Sequence, residues 1–337
     1  MTLNFVRRTM SIRASVMLTA ETERGAGMSV PDVLVIGDAN PDLLLTGDAV
    51  PVFGQAETLV DAADLVLGGS AAIVACGLAR LGVATALAAT VGDDLYGGFV
   101  RDALSERGVD VRWLRTDPSV PTGLSVVLSV GDRAILTHPG TIATTGPEVV
   151  DEDLLSGVRH VHSASFFLQP RLARHLPRLL GRAHEAGATT SVDTNFDPAR
   201  EWRGVLPLLG RTDVLMPNAT ELRELTRETD LDRAAEVVLD LGCRVALKDG
   251  AQGGAYWEAP DVVRRVAPPP TTPVDTTGAG DSFDAGFISG MVEGLAGEEC
   301  LSRAVRCGSL STRAVGGTAA QPTRAEVEDG FRAAPPG

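Results

Sequence analysis

The chain has 337 residues, 44% hydrophobic and 22% charged, with 30 Lys and Arg against 44 Asp and Glu, a net charge of −14. That length gives an ample core for one large or two smaller domains, and the composition excludes a disordered, collagen-like or disulfide-scaffold chain. The acidity argues against broad nucleic-acid or anionic-membrane binding, yet leaves room for a phosphate site made of backbone N–H groups.

At the N-terminus, Arg7, Arg8 and Arg13 precede a short apolar stretch over 14–20. It is brief for a signal-peptide core and has no clear cleavage site. Residues 1–30 therefore read as a disordered extension, or as sequence upstream of a start at Met28. No apolar run approaches the ~20 residues of a membrane span. The best, 71–89, is broken by Arg80 and two glycines.

Residues 33–36 form a short apolar run ending in Gly37-Asp38, which reads as a buried strand. Helical spacing follows over 70–81, a strand pattern over 84–90 and a helix over 94–107. Next come a strand at 158–163, a helix at 171–186 and a strand at 189–193. A helix at 202–209 leads to a strand at 214–216, and a helix at 231–241 to a strand at 244–247. Helices at 281–293, 298–312 and 325–333 finish the chain. This alternation predicts an α/β fold in three layers, a mostly parallel sheet covered by helices on both faces. Two stretches break the rhythm. Residues 43–67 hold strand-like pieces around Pro51, and 122–137 reads as a hairpin turning at Gly131-Asp132. Together they predict a small antiparallel sheet placed as a lid over the strand ends. The expected plan is one domain over 31–330, with lid segments 43–67 and 122–137 and a tail at 331–337. Cys76, Cys243, Cys300 and Cys307 form no C-x-x-C pair and read as free buried thiols of a reducing, cytoplasmic protein.

The chemistry concentrates in Asp275-Thr276-Thr277-Gly278-Ala279-Gly280-Asp281-Ser282-Phe283, ahead of a helical pattern. The N–H groups of Gly278, Ala279 and Gly280 fall at the first helical turn, where amides lack intrahelical partners and the dipole is positive. That is a phosphate cradle, though not a Walker loop, because no Lys follows the glycines. An isolated Asp before a helix usually caps it. Within this whole string Asp281 reads instead as a general base that takes a proton from an attacking hydroxyl. Asp42 follows a buried strand at its C-terminal end, where open α/β sheets bind ligands, and a carboxylate suits a polyol. A turn residue in Asn-Pro-Asp is the plainer alternative. Gly68 and Gly69 end a strand or allow close backbone approach. Asn218 and Glu221, three apart at a helix start, form a capping-box pattern. Asp193 and Asn195 face phosphates or form an Asx turn. His138, His160, His162, Trp113, Trp202 and Trp257 read as packing or surface residues.

Residues 275–288 resemble the second signature of the ribokinase-like (PfkB) family of carbohydrate kinases. Further landmarks appear in order. Gly37-Asp38-Ala39-Asn40-Pro41-Asp42 is similar to the family's sugar-binding first-strand segment, and Gly68-Gly69-Ser70-Ala71-Ala72 to its di-glycine turn. Val91-Gly92-Asp93-Asp94-Leu95-Tyr96-Gly97 is similar to G-D-D-x-x-G, Pro217-Asn218-Ala219-Thr220-Glu221 to N-x-x-E, and Lys248-Asp249-Gly250 to the nucleotide-side loop. The resemblance spans residues 33 to about 325 and implies a ribokinase-like fold with ATP-dependent phosphorylation of a sugar or sugar-like hydroxyl. By resemblance, Asn40, Asp42, Gly68 and Gly69 hold the acceptor, Asn218 and Glu221 organise Mg²⁺, and Lys248, Gly250 and residues 304–317 line ATP. It also implies K⁺ near the Asp275 and Thr277 carbonyls. One departure stands out: the family's Asn, four residues after the second Gly, is Ile73 here. Either the pocket reads a less hydroxylated substrate edge or another residue supplies the contact. The alternatives are a nucleoside kinase of the same fold and a non-catalytic sugar or nucleotide sensor. An exposed lid edge also allows a homodimer.

Overall fold

The apolar run Val33–Ile36 is buried at every position, as an interior strand covered on both faces must be. Val33 and Val35 join one core cluster, Leu34 and Ile36 the other, so the period of two divides the strand between two helical layers. The computed structural model describes residues 30–332 apart from Gly131. The expected extension before residue 30, the hairpin's Gly131 and the tail from 333 lie outside the described residues.

The strands in chain order are β1 Val33–Ile36, β2 Asn40–Thr46, β3 Ala62–Gly68, β4 Thr85–Gly92, β5 Leu114–Asp117, β6 Leu124–Val130 and β7 Asp132–His138. They continue as β8 His160–Ala164, β9 Thr189–Asp193, β10 Val214–Leu215, β11 Arg244–Lys248, β12 Gly254–Ala259 and β13 Val262–Val266. The helices of eight residues or more are α1 Ser70–Arg80, α2 Leu95–Glu106, α3 Leu176–Glu185, α4 Ala219–Thr226, α5 Leu231–Leu239, α6 Ala279–Glu293, α7 Gly297–Ser311 and α8 Arg324–Arg332. Nine strands form the main sheet in the order β13-β12-β11-β10-β9-β8-β1-β4-β5. β5 through β11 run parallel, and β12 and β13 add an antiparallel edge.

The other four strands form a small sheet, β3-β2-β6-β7. Its two hairpin pairings are antiparallel, as expected, but β2 and β6 pair in parallel. These two come from separate excursions of the chain, so no tight turn dictates their direction. Asp94 fastens the second excursion to the main body. Its carboxylate caps α2 through Gly97 N (2.8 Å) and accepts from Thr122 N (2.8 Å) and Thr122 Oγ1 (2.7 Å). Gly97 is required there, since a Cβ would lie 2.0 Å from the Gly92 carbonyl.

Some boundaries differ from expectation. The helix expected over 171–186 is broken into Pro170–Ala173 and α3, with Pro177 in the second helix's first turn. A proline ring clashes with the carbonyl four residues back, so the helix restarts instead of running through. The helix expected from 202 begins at Val205, because Gly204 (φ 86°) and Trp202 (φ 56°) are left-handed. Strands β5, β12 and β13 have no counterpart among the expected elements. All four cysteines are free and buried, and no described helix is long and apolar enough to cross a membrane.

Candidate active site at the strand ends

Helix α6 starts at Ala279, two residues ahead of the helix expected at 281–293, within the Gly-rich string. Gly278 is its N-cap residue in the left-handed region (φ 69°), with no side-chain cap. A Cβ on Gly278 would lie 2.6 Å from Gly317 Cα, so only glycine fits between the two loops. Asp275 organises the approach. Its Oδ1 accepts from Thr277 N (2.9 Å) and Oγ1 (2.8 Å), and its Oδ2 from Gly316 N (2.8 Å). Among the described residues the N–H groups of Gly278 and Gly280 have no acceptor, whereas Ala279 N–H turns back to the Thr276 carbonyl at 3.2 Å. The donors open to a ligand are therefore Gly278 and Gly280, with Ala279 shared.

Asp281 is the third residue of α6 and is buried. It does not cap the helix. Its Oδ1 instead accepts from Ser70 Oγ, at the start of α1. Burial lifts its pKa to about 7, with the Asp193 and Asp38 carboxylates adding to the rise and the Ser70 hydrogen bond and Lys248 opposing it. Beneath Gly280 lies Lys248, whose Nζ contacts Asp193 Oδ2 (2.6 Å) and Asp284 Oδ2 (3.0 Å). Burial works against the ammonium, but Asp193, Asp284 and Glu221 outweigh it and hold Lys248 protonated. Oxygens of Asp193, Asp281 and Asp284 lie within 4.8 Å of one another, a cation-like spacing. The lysine ammonium already bonds two of the three, so the cluster carries its own cation.

Asn218 and Glu221 form the complete capping box of α4. Asn218 Oδ1 accepts from Glu221 N (2.9 Å), and Glu221 Oε2 accepts from Asn218 N (2.9 Å). Glu221 is also buried, and desolvation followed by Asp193 raises its pKa to about 7. Its Oε1 carries no hydrogen bond among the described residues. That leaves a hard carboxyl oxygen of the type Mg²⁺ takes directly or through water. The Asx turn expected at Asp193 also exists, with Asn195 N donating to Asp193 Oδ1 at 2.9 Å, while the other carboxylate oxygen binds Lys248.

The opposite end of the cleft is assembled from distant segments. Asn40 Nδ2 donates to Asp42 Oδ1 (3.0 Å), and burial plus the nearby Asp38 raises Asp42 to about 7. Gly68, paired with Asn40 across β2 and β3, admits the Asp42 carboxylate where a Cβ would be only 2.1 Å from Oδ1. The di-glycine thus makes room for the acidic strand. Asp38, which sequence reasoning missed, accepts from Ala71 N (2.9 Å) in the first turn of α1 and from Ser165 Oγ (2.8 Å). Ser165 N donates to Asn195 Oδ1 (2.8 Å), Asn195 Nδ2 to Ser70 Oγ (2.8 Å), and Ser70 to Asp281. Ser165 (φ 58°) and Asn195 (φ 53°) are left-handed at the ends of β8 and β9, a strained geometry that clusters at functional sites. Ile73 is buried, and its Cδ1 would lie 2.6 Å from a Cβ on Gly317. It packs beneath the loop that supports Gly278.

On the far side of Gly280 opens a cavity of about 610 Å³, lined by Lys248, Gly250, Pro268, Phe283, Val305 and Ser309 among others. Its size and apolar walls suit a nucleobase. The stretch expected to line a nucleotide, 304–317, contributes Val305, Gly308, Ser309 and Thr312. His160 and His162 are buried in hydrogen bonds to Thr189 and Ser191, and Trp202 and Trp257 are buried in the core.

Residues 30–324 match the family described as pfkB family carbohydrate kinase. Ribokinase of Arabidopsis thaliana is 29% identical over 332 residues, covering 95% of this chain and 86% of that protein. ATP-dependent ribose-1-phosphate kinase of Halopiger xanaduensis is 35% identical over 256 residues, 72% of this chain and 79% of that one. A solved E. coli chain described as a ribokinase II, bound to ATP and Mg²⁺, superposes with a TM-score of 0.80 at 25% identity, covering 90% of this chain and 99% of its own.

Proposed function

The chain belongs to the pfkB family of carbohydrate kinases, and from that premise we propose that it transfers the γ-phosphoryl group of ATP to a hydroxyl of a neutral sugar. Residues 31–330 act as one kinase domain, and the small sheet is its lid. The observation that carries this reading is the placement of Asp281. It is a buried carboxylate one residue beyond the open amide of Gly280, tied through Ser70, Asn195 and Ser165 to the acceptor end.

Asp42 and Asn40 hold acceptor hydroxyls, with Gly68 and Gly69 giving the backbone room. Asp281 takes the proton of the attacking hydroxyl as the new P–O bond forms. The Gly278 and Gly280 amides, with Ala279 shared, meet the charge growing on the transferred group. Bound Mg²⁺ offsets phosphate charge, and Glu221, oriented by Asn218, would hold it. Closure of the lid excludes water and limits ATP hydrolysis.

The acceptor end also selects by charge. Asp38 and Asp42 gather there, with Asp281 beyond them, and the Asp38 carboxylate adds to the rise that burial gives Asp42. A carboxylate or phosphate on the acceptor would meet repulsion, while hydroxyls find acceptors. Transfer of labelled phosphate from ATP to ribose, fructose, a 2-keto-3-deoxy acid, ribose 1-phosphate, adenosine and cytidine tests this. Preferred transfer to a neutral sugar is expected; preferred transfer to an anionic acceptor or a nucleoside would overturn the charge argument or the sugar assignment. The four buried free cysteines favour a cytoplasmic protein. The exposed Leu65, Ile135 and Leu136 on β3 and β7 favour a dimer through the lid.

A further inference from the structure

The charges at the phosphate end do not balance from the main body alone. A nucleoside triphosphate brings about four negative charges, of which one Mg²⁺ offsets two. Asp193, Asp281 and Asp284 stand beside the cradle, and Lys248 is already shared between two of them. Among the residues lining the nucleotide cavity, Lys248 is the one cationic side chain. A further positive group is needed, and the small sheet brings one.

Arg133 is the second residue of β7. Its Nη1 donates to Thr277 Oγ1 at 2.7 Å, across 144 residues of sequence. Thr277 immediately precedes Gly278, the N-cap of the cradle helix. The guanidinium is also close enough to Asp275 to help hold that carboxyl below its ordinary value, behind the hydrogen bonds from Gly316 and Thr277. The sheet that carries Arg133 also carries Asp42, since β2 pairs with β6 (Asp42 opposite Ser125) and β6 with β7 (Ser129 opposite Arg133). One rigid unit thus presents a carboxylate to the acceptor and a guanidinium to the phosphate loop.

We propose that Arg133 is a phosphate-binding residue delivered by the lid, contacting the terminal phosphoryl group of the nucleotide at the Thr277–Gly278 cradle. A guanidinium is a planar fork of five donors that suits phosphate oxygens, and this one is anchored on the residue that precedes Gly278. Lid placement then does two things: it completes the acceptor pocket through Asp42, and it adds charge where the transferred group sits. The idea rests on reading Gly278 and Gly280 as the phosphate cradle.

Calorimetric titration with Mg²⁺ and either β,γ-imido-ATP or ADP separates the alternatives, using the full chain and its Arg133→Ala and Arg133→Lys variants. Arg133 is an exposed side chain, so neither change disturbs the core. Arg133→Ala should weaken the triphosphate analogue about tenfold to a hundredfold, as for loss of a charged hydrogen bond, and ADP less than about twofold. Arg133→Lys should recover part of the loss, because it keeps the charge but not the fork. Equal weakening of both nucleotides, or of neither, would overturn the role of Arg133 alone. Wild-type chain that binds neither nucleotide would overturn the cradle reading and the arginine's role together.

Discussion

The two ends of the cleft are built by opposite strategies. At the phosphate end, one contiguous string from Asp275 to Asp284 supplies the turn, the helix start, the open amides and the carboxylates. At the acceptor end, Asp38, Asp42, Ser70, Ser165 and Asn195 come from four strand ends and the start of a helix, and hydrogen bonds made by their side chains, one of them accepting from Ser165 N, hold them. Helix geometry positions the amides of the first end locally, while Lys248 and Ser70 fix its carboxylates from elsewhere in the chain. Positioning at the second end depends on the order of strands in two sheets.

The largest effect should come from the cation buried beneath the phosphate end. Lys248→Met leaves Asp193 and Asp284 unpaired in the interior and should cost about 3–5 kcal/mol, read from urea unfolding. A loss below about 1 kcal/mol would mean that Asp284 is protonated and the pair contributes little. Next, Asp281→Asn should lower kcat by at least ~10²-fold, typical of losing a general base, while the melting temperature stays within a few degrees. Near-normal turnover would remove Asp281 from the chemistry.

The acceptor end should respond in KM. Gly68→Ala places a Cβ against the Asp42 carboxylate and should raise acceptor KM about tenfold with ATP KM unchanged, since only the acceptor contact moves. Parallel changes in both constants would mean that the two ends are coupled more tightly than their construction implies.

The smallest effect is a pH dependence that links the ends. Asp42, Asp281 and Glu221 each titrate near 7 in the folded chain, chiefly through burial. The folded state therefore binds more protons than the unfolded state between about pH 4 and 7, and stability should decline as pH rises through that window. Activity should move the opposite way, rising as Asp281 loses its proton near pH 7. Melting temperatures from pH 4.5 to 8 test the first slope, and kcat/KM over the same range tests the second. Asp42→Asn should flatten the stability profile while leaving the limb due to Asp281.

Much of this was legible in the residues. The helix start at Gly278 follows from small residues ahead of a helical pattern, and the Asn218–Glu221 box from a three-residue spacing. Other features carried a signal that went unread. Tyr256 and Trp257 lie before Pro260-Asp261 and Val262-Val263, a hairpin pattern that matches β12 and β13. The role of Asp94 in clasping Thr122 had no such signal, because it joins residues 28 apart with no shared periodicity. Nor could spacing show that Ile73 packs under Gly317.

The sequence by itself determined the alternation of strands and helices, a helix start within the Gly-rich string, and an acidic residue in that helix's first turn. Each depends on backbone geometry over one or two turns, which neighbouring residues set. Only the tertiary structure decided that Lys248 neutralises Asp193 and Asp284, that Ser165, Asn195 and Ser70 lead to Asp281, and that Arg133 reaches Thr277. Those meetings depend on which strand lies beside which and in what register, information that no local pattern contains.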